Sequence, residues 1–151
     1  MTIFIDADSC PKRVREIVAK AAANYRVPAQ FVANRTVPVP ENAYVEQVVL
    51  DPAETSVTAD EHILAHASPA DLVVTRDIPL AASLVENAVT VINDRGTEYT
   101  ADNIRERLSI RDFMYDLRQA TGHRESASSF GKKEIHAFAA TLDTILRRKV
   151  Q

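Results

Sequence analysis

The sequence predicts one α/β domain built on a mostly parallel central sheet, with a helical C-terminal third. Three observations carry this. Two short, unbroken apolar runs have strand length, Thr2-Ile3-Phe4-Ile5 and Leu72-Val73-Val74, and such runs suit strands covered on both faces, as in a parallel sheet. Helix-patterned segments separate the strand candidates through Asn93, and beyond it only helical patterns remain. Finally, 151 residues, 46% hydrophobic and with a net charge of −3, are enough chain for one core and exclude a disordered protein.

The first strand runs into Asp6. Pro11 then opens a helix, in the first turn where its missing N–H costs nothing. Apolar residues follow at Val14, Ile17, Val18, Ala21, Ala22 and Tyr25, the spacing of one helix face. Phe31-Val32-Ala33 and Val45 to Leu50 are further strands. A second helix starts at Thr58, because Thr58-Ala59-Asp60-Glu61 is a capping box with Ile63, Leu64 and Ala67 behind it. The Leu72–Val74 strand comes next, then a third helix over about Leu80 to Asn87, then the strand Val89-Thr90-Val91-Ile92. This alternation implies right-handed crossovers.

In the C-terminal third, Ile104 and Leu108 set one helical phase, while Ile110, Phe113, Met114 and Leu117 set another. Ser109, with Asp112 three residues on, can cap a fresh start, so two short helices are expected. Gly122 ends the second as a C′ glycine. The Ser-rich stretch from His123 to Gly131 is expected as a mobile surface loop. An amphipathic helix from about Lys132 to Arg148 then buries Ile135, Phe138, Ala139, Leu142 and Leu146.

Composition narrows the function. Cys10 is the only cysteine, so no disulfide framework exists and a reducing cytoplasm is expected. No apolar run reaches the roughly 18–20 residues of a membrane span, and the segment before Asp6 has no basic leader. Eighteen Lys and Arg face 21 Asp and Glu, which excludes coating of nucleic acid by bulk charge. Thirteen of those 18 cations are Arg, the residue suited to forked contact with phosphate, so a local phosphate-binding surface stays open.

Ligands bind beyond the carboxyl ends of the strands in open α/β sheets. Asp6 and Asp8 follow the first strand, Asp77 follows Leu72–Val74, and Asn93 and Asp94 follow Val89–Ile92. Asp71 begins its strand and belongs to the opposite edge. Asp60 shares a helix face with Ile63, Leu64 and Ala67, so its carboxylate is held on the buried side and needs a partner. If Asp6, Asp8, Asp60 and Asp77 converge, repulsion raises at least one pKa unless a cation sits between them. Mg²⁺ or Mn²⁺, hard ions that take oxygen ligands, would relieve it. The plainer alternatives are that Asp8 caps the Pro11 helix and that Asp60 complements the dipole of its own helix.

The residues carry a resemblance. Ile5-Asp6-Ala7-Asp8-Ser9-Cys10-Pro11 resembles the DADxCP opening of the YaiI/YqxD family of bacterial proteins. Asp71 to Ala81, DLVVTRDIPLA, resembles that family's DLVVTxDIPLA motif. Asn93-Asp94-Arg95-Gly96 stands where the family has an N-P-R-G turn. Asn103-Ile104-Arg105 and Arg111-Asp112-Phe113-Met114 match its helical segment. The resemblance spans nearly the whole chain and implies a single PIN-like three-layer domain. In PIN nucleases an Asp after the first strand, an acidic residue on a middle helix and a Thr-x-Asp after a later strand hold Mg²⁺ or Mn²⁺. Those roles fall here on Asp6, Asp60 and Thr75/Asp77, with Asp8 as an added carboxylate. Two departures stand out: Asp94 replaces the usual proline, and Glu125 to His136 lacks the Gly-Pro and Asp-Arg elements of relatives.

Around the acidic edge, Lys12, Arg13, Arg35, Arg76 and Arg95 are candidates for a basic rim that binds phosphate or nucleic acid. Arg76 could clamp a phosphate or balance the carboxylates. Thr75 could position water or phosphate, or merely satisfy the strand end. Cys10, at a helix start, is expected as a small buried packing residue rather than a nucleophile. His62 and His66 have zinc-chelating spacing but no third ligand, so a solvated surface is expected. Arg147-Arg148-Lys149 suits a helix end.

Three functions are therefore carried forward. The first is a Mg²⁺- or Mn²⁺-dependent phosphodiesterase acting on RNA or single-stranded DNA. The second is a haloacid-dehalogenase-type phosphatase with Asp6 as nucleophile and Asp8 as acid/base, which also needs a later lysine and acidic pair. The third is a PIN-like module that grips RNA or protein without turnover.

Overall fold

Ile3 and Ile5 point to one side of their strand and Phe4 to the other, and all three are buried. That strand, β1 (Ile3–Asp6), is joined by β2 (Ala29–Ala33), β3 (Val45–Val49), β4 (Leu72–Val74), β5 (Thr90–Ile92) and β6 (Glu98–Tyr99). They form one six-stranded sheet of order β3-β2-β1-β4-β5-β6 in a computed structural model that describes residues 1–122 and 130–150. β1 to β5 are parallel, and β6 closes the edge antiparallel to β5.

Among the described residues five helices cover the sheet: α1 (Lys12–Tyr25), α2 (Ala59–His66), α3 (Ile78–Glu86), α4 (Ala101–Thr121) and α5 (Lys132–Val150). On one face, Ile3, Ile5, Phe31, Leu72 and Val74 pack with Val14 and Val18 of α1 and Phe138, Leu142 and Leu146 of α5. On the other, Phe4, Val32, Val73 and Val91 pack with Ile63 of α2, Leu80 and Leu84 of α3 and Ile104 of α4. The result is three layers, with full burial of each such side chain contributing ~1.5–3 kcal/mol.

The chain leaves β1 toward β2 and β3 on one side, and later lays β4 and β5 on the other. β1 and β4 therefore flank the topological switch point, where parallel sheets open a crevice at their carboxyl ends.

Several expectations are corrected. The stretch before Gly122 is one 21-residue helix, α4, where two short ones were expected. Ser109 caps nothing there. Thr100 is the N-cap instead: its hydroxyl accepts from Asn103 N–H at 3.2 Å, while Asn103 Oδ1 accepts from Thr100 N–H at 2.8 Å. The second apolar phase demands no break because it is largely unpacked, with Ile110 54% and Phe113 65% exposed. Gly122 does end the helix, in the left-handed region at φ 68°.

Pro11 is the N-cap of α1 rather than a first-turn residue. α3 begins at Ile78, two residues before the expected start, because Asp77 caps it by accepting from Leu80 N–H at 3.0 Å. Leu64 is 39% exposed, since the apolar face of α2 centres on Ala59, Ile63 and Ala67. In α5, Ile145 is buried while Ile135 and Ala139 are only half-buried. β6 is too short to show a hydrophobic pattern, and only tertiary pairing reveals it. Most of the loop expected at 123–131 lies outside the described residues.

Candidate functional site

β1 and β4 pair in the register Ile3↔Leu72, Phe4↔Val73 and Ile5↔Val74. One step further brings Asp6 beside Thr75. Strand alternation gives Asp6 the side of Phe4 and Thr75 the side of Val73, the face covered by α2 and α3. There the Thr75 hydroxyl donates to Asp6 Oδ2 at 2.8 Å, and Ser9 Oγ lies 3.1 Å from the same oxygen. Thr75 Oγ1 also accepts the Asp77 N–H at 3.0 Å. A single buried hydroxyl thus aligns one carboxylate and fixes the turn that presents the next.

Asp60 stands in the first turn of α2, behind the Thr58 cap, whose hydroxyl accepts from Glu61 N–H at 3.2 Å. It faces Asp77, to which it is hydrogen-bonded, and its carboxyl is pushed up to about 6. Partial burial is the largest cause, followed by the negative charges of Asp77 and Asp6 and by that hydrogen bond. Asp6 is raised as well. Burial dominates there too, hydrogen bonds from Thr75 and Ser9 pull the other way, and Asp77 and Asp8 add repulsion. Asp8 is exposed and accepts the Asn34 N–H on Oδ2 at 2.8 Å, so it ties β1 to β2 rather than capping α1.

Asp6, Asp8, Asp60, Arg76 and Asp77 all line one open cleft of about 710 Å³. Its outer wall is the β3–α2 connection, from Leu50 through Thr55, Ser56 and Val57 to Thr58. Asn34, Thr55 and Ser56 were not singled out from the sequence. Asn34 follows β2 directly, so the strand-end rule that found Asp6 and Asp77 also points to it; nothing local points to Thr55 or Ser56.

The basic candidates divide. Arg76 stays on the cleft wall with its Nε donating to Asp94 Oδ2 at 2.6 Å, and the Asp94 side chain is only 2% exposed. Asp94, the departure from the family's proline, thus anchors Arg76. Lys12 and Arg35 are exposed, Arg13 pairs with Glu16 at 3.3 Å, and Arg95 pairs with Glu134 at 3.5 Å while lying over the Phe130 ring. None of these four lines the cleft. Asn93 is structural, its Oδ1 accepting from Arg95 and Thr97 N–H at 2.9 Å each.

At the opposite edge, Asp71 accepts from Thr2 N–H at 2.8 Å and Ser68 N–H at 2.9 Å, as its place at the start of β4 requires. Cys10 is buried in the core, the place of a packing residue, and burial pushes its thiol up to about 12. His62 and His66 stack on each other with ring centroids 4.2 Å apart, and His62 reaches Gln30.

The donors that face the cleft are all oxygens, the chemistry of a hard divalent cation. Among the described residues no three His, Cys, Asp or Glu side chains form a group placed to hold a metal ion. Asp60 and Asp77 are joined by a hydrogen bond and Asp8 is turned to Asn34. The donor types are those that Mg²⁺ or Mn²⁺ prefers, while the carboxylates as placed form no ready-made ligand set among the described residues.

Fold and site together define a class: a three-layer, mostly parallel α/β domain with a carboxylate-lined cleft at its switch point. The chain belongs to the YaiI/YqxD family, whose model, described as "Uncharacterized BCR, YaiI/YqxD family", matches residues 4–148. A "UPF0178 protein" of Treponema pallidum is 50% identical over 95% of this chain and 80% of its own. Proteins of the same name from Syntrophobacter fumaroxidans and Treponema denticola are 46% and 48% identical, over 99% and 100% of this chain and 96% and 95% of theirs. No solved structure matches the chain. Among the described residues no helix is long and apolar enough to cross a membrane.

Proposed function

We propose that this protein is a PIN-like, metal-dependent phosphodiesterase that cuts RNA or single-stranded DNA in the cytoplasm. The observation that supports it is the meeting of Asp6, Asp60 and Asp77 at the switch point, brought from β1, α2 and the β4–α3 turn, where burial, with mutual repulsion adding to it, raises Asp6 and Asp60. Asp6, Asp60 and Asp77 would hold Mg²⁺ or Mn²⁺, with Asp8 at the rim. When bound, the cation polarises the phosphoryl group and lowers the pKa of an attacking water.

The chain's own residues do the rest. Thr75 orients Asp6 and holds the Asp77 turn. Arg76, braced on buried Asp94, offers its guanidinium to a phosphate on the cleft wall. The Leu50–Thr58 wall leaves an open trough, suited to an extended strand more than to an enclosed small molecule. The phosphatase alternative needs a later lysine and an acidic pair after a further strand, and among the described residues no lysine lines the cleft.

The test is hydrolysis of labelled single-stranded oligonucleotides with Mn²⁺ by the natural protein and by Asp6→Asn and Asp77→Asn. Asn keeps the cap at position 77, so folding is preserved. Cleavage that disappears in both variants supports the assignment; cleavage unchanged in both overturns it.

A further inference from the structure

The distal part of α4 bears a surface that the cleft reading does not use. A groove of about 540 Å³ runs between the start of α3 and α4, lined by Ile78, Arg107, Ile110, Arg111, Met114 and Arg118, with Asn103 and Glu106 at one end. Positions 107, 111 and 118 recur at helical spacing, so three guanidinium groups border one stripe. Arg107 lies over the Tyr99 ring at 5.7 Å, and Arg111 makes an exposed contact with Asp112 at 3.6 Å. Between and beside the cations, Ile110 is 54% exposed and Met114 is half-buried. That combination, cations along a partly exposed apolar stripe with one guanidinium stacked on the Tyr99 ring, is the chemistry of a single-strand track, with phosphates on Arg and bases on the guanidinium planes and the apolar surface.

The groove and the acidic cleft come closest in the chain at the start of α3. Ile78 lines the groove and Asp77 lines the cleft, and the two are consecutive residues. We infer that α4 is the binding track for the single strand, which enters over Arg118, Arg111 and Arg107 and passes Ile78 to reach the carboxylates. This rests on the phosphodiesterase reading for what happens at the cleft, though not for binding along α4. A second copy is the weaker occupant. An antiparallel α4–α4 contact about Ile110 and Arg111 would set Arg111 against its own counterpart, a like-charge contact.

The track covers about 16 Å of helix from residue 107 to residue 118 at 1.5 Å per residue. It is tested by fluorescence anisotropy with labelled oligo-U RNA and oligo-dT DNA, with Ca²⁺ in place of Mn²⁺ to leave the strand uncut. Hydrolysis of bis(p-nitrophenyl) phosphate with Mn²⁺, a diester too small to reach α4, is measured in parallel. For Arg111→Ala/Arg118→Ala, strand binding should weaken about tenfold or more, with the salt slope falling by about 0.7 per cation removed. Small-diester hydrolysis should be unchanged, and Arg111→Lys/Arg118→Lys should recover part of the binding. Circular dichroism checks that the variants fold, both sites being exposed.

Undiminished strand binding by the double-Ala variant overturns the track, and persistent small-diester hydrolysis then leaves the cleft reading standing. Lost binding with no diester hydrolysis by the natural protein supports the track and defeats the cleft reading. A natural protein that binds neither strand, or one that dimerises until Ile110→Glu is introduced, overturns the track.

Discussion

Thr75 and Asp6 sit one register step beyond the last paired residues of β4 and β1, and the Thr75 hydroxyl donates to Asp6 Oδ2 across 2.8 Å. The contact joins residues 69 positions apart. It exists because parallel pairing places the two strand ends side by side, and the same hydroxyl accepts the Asp77 N–H.

Thr75→Val, which keeps the shape and removes the hydroxyl, leaves buried Asp6 short of a donor and the Asp77 N–H without its acceptor. Stability should fall by about 1–3 kcal/mol, the cost of leaving buried polar groups unpaired. Thr75→Ser should recover most of it. Urea denaturation of the three proteins decides; a valine variant as stable as the natural chain would show the hydroxyl to be idle.

Asp60 gives a pH signature. Its folded-state pKa, about 6, lies above the ordinary 3.8, so the folded protein holds this proton more tightly than the unfolded chain does. Stability from this group is therefore present below about pH 4 and is lost as pH rises toward and through 6. Asp60→Asn, whose amide can donate to Asp77 as the protonated acid does, should be more stable than the natural protein at pH 7 and not at pH 4. Thermal melts without divalent metal at both pH values test it, and a difference that does not change with pH refutes it.

Asp71 is the control carboxylate. It accepts from Thr2 N–H and from the Ser68 N–H and hydroxyl, at the sheet edge opposite the cleft. Asp71→Ala should cost about 1–3 kcal/mol in denaturant by unpairing those donors. Cleavage per folded molecule should be as in the natural protein; a large loss of cleavage would mean that the two edges are coupled.

Gly96 sets the turn between β5 and β6. Its φ is +82°, and a Cβ there would lie 2.5 Å from Ala137 O and 2.9 Å from Thr141 Oγ1. The Thr141 hydroxyl also donates to Gly96 O at 2.8 Å, tying this turn to α5. Gly96→Ala should destabilise by about 1–3 kcal/mol from backbone strain and overpacking. An unchanged denaturation midpoint would show that α5 yields easily.

Much of the architecture was legible because its causes are local. Unbroken apolar runs marked β1 and β4, the Thr58 cap marked α2, and Gly122 marked a helix end. Strand polarity then placed Asp6, Asp8 and Asp77 at one edge and Asp71 at the other. Asp60 was found from helix phase, although its neighbour Leu64 proved exposed. The single helix α4 escaped, because a shift of apolar phase looks the same whether or not anything packs against it.

The amino-acid order alone determined which carboxylates stand at strand ends and caps, since helix and strand periodicity follow from backbone geometry within a few residues. Only the tertiary structure decided that Thr75 bonds Asp6, that Asp60 meets Asp77, and that Arg76 leans on Asp94 while Arg95 turns to Glu134. Those choices depend on register and on opposite charges that arrive from distant segments, and long flexible side chains go where the folded surroundings repay their desolvation.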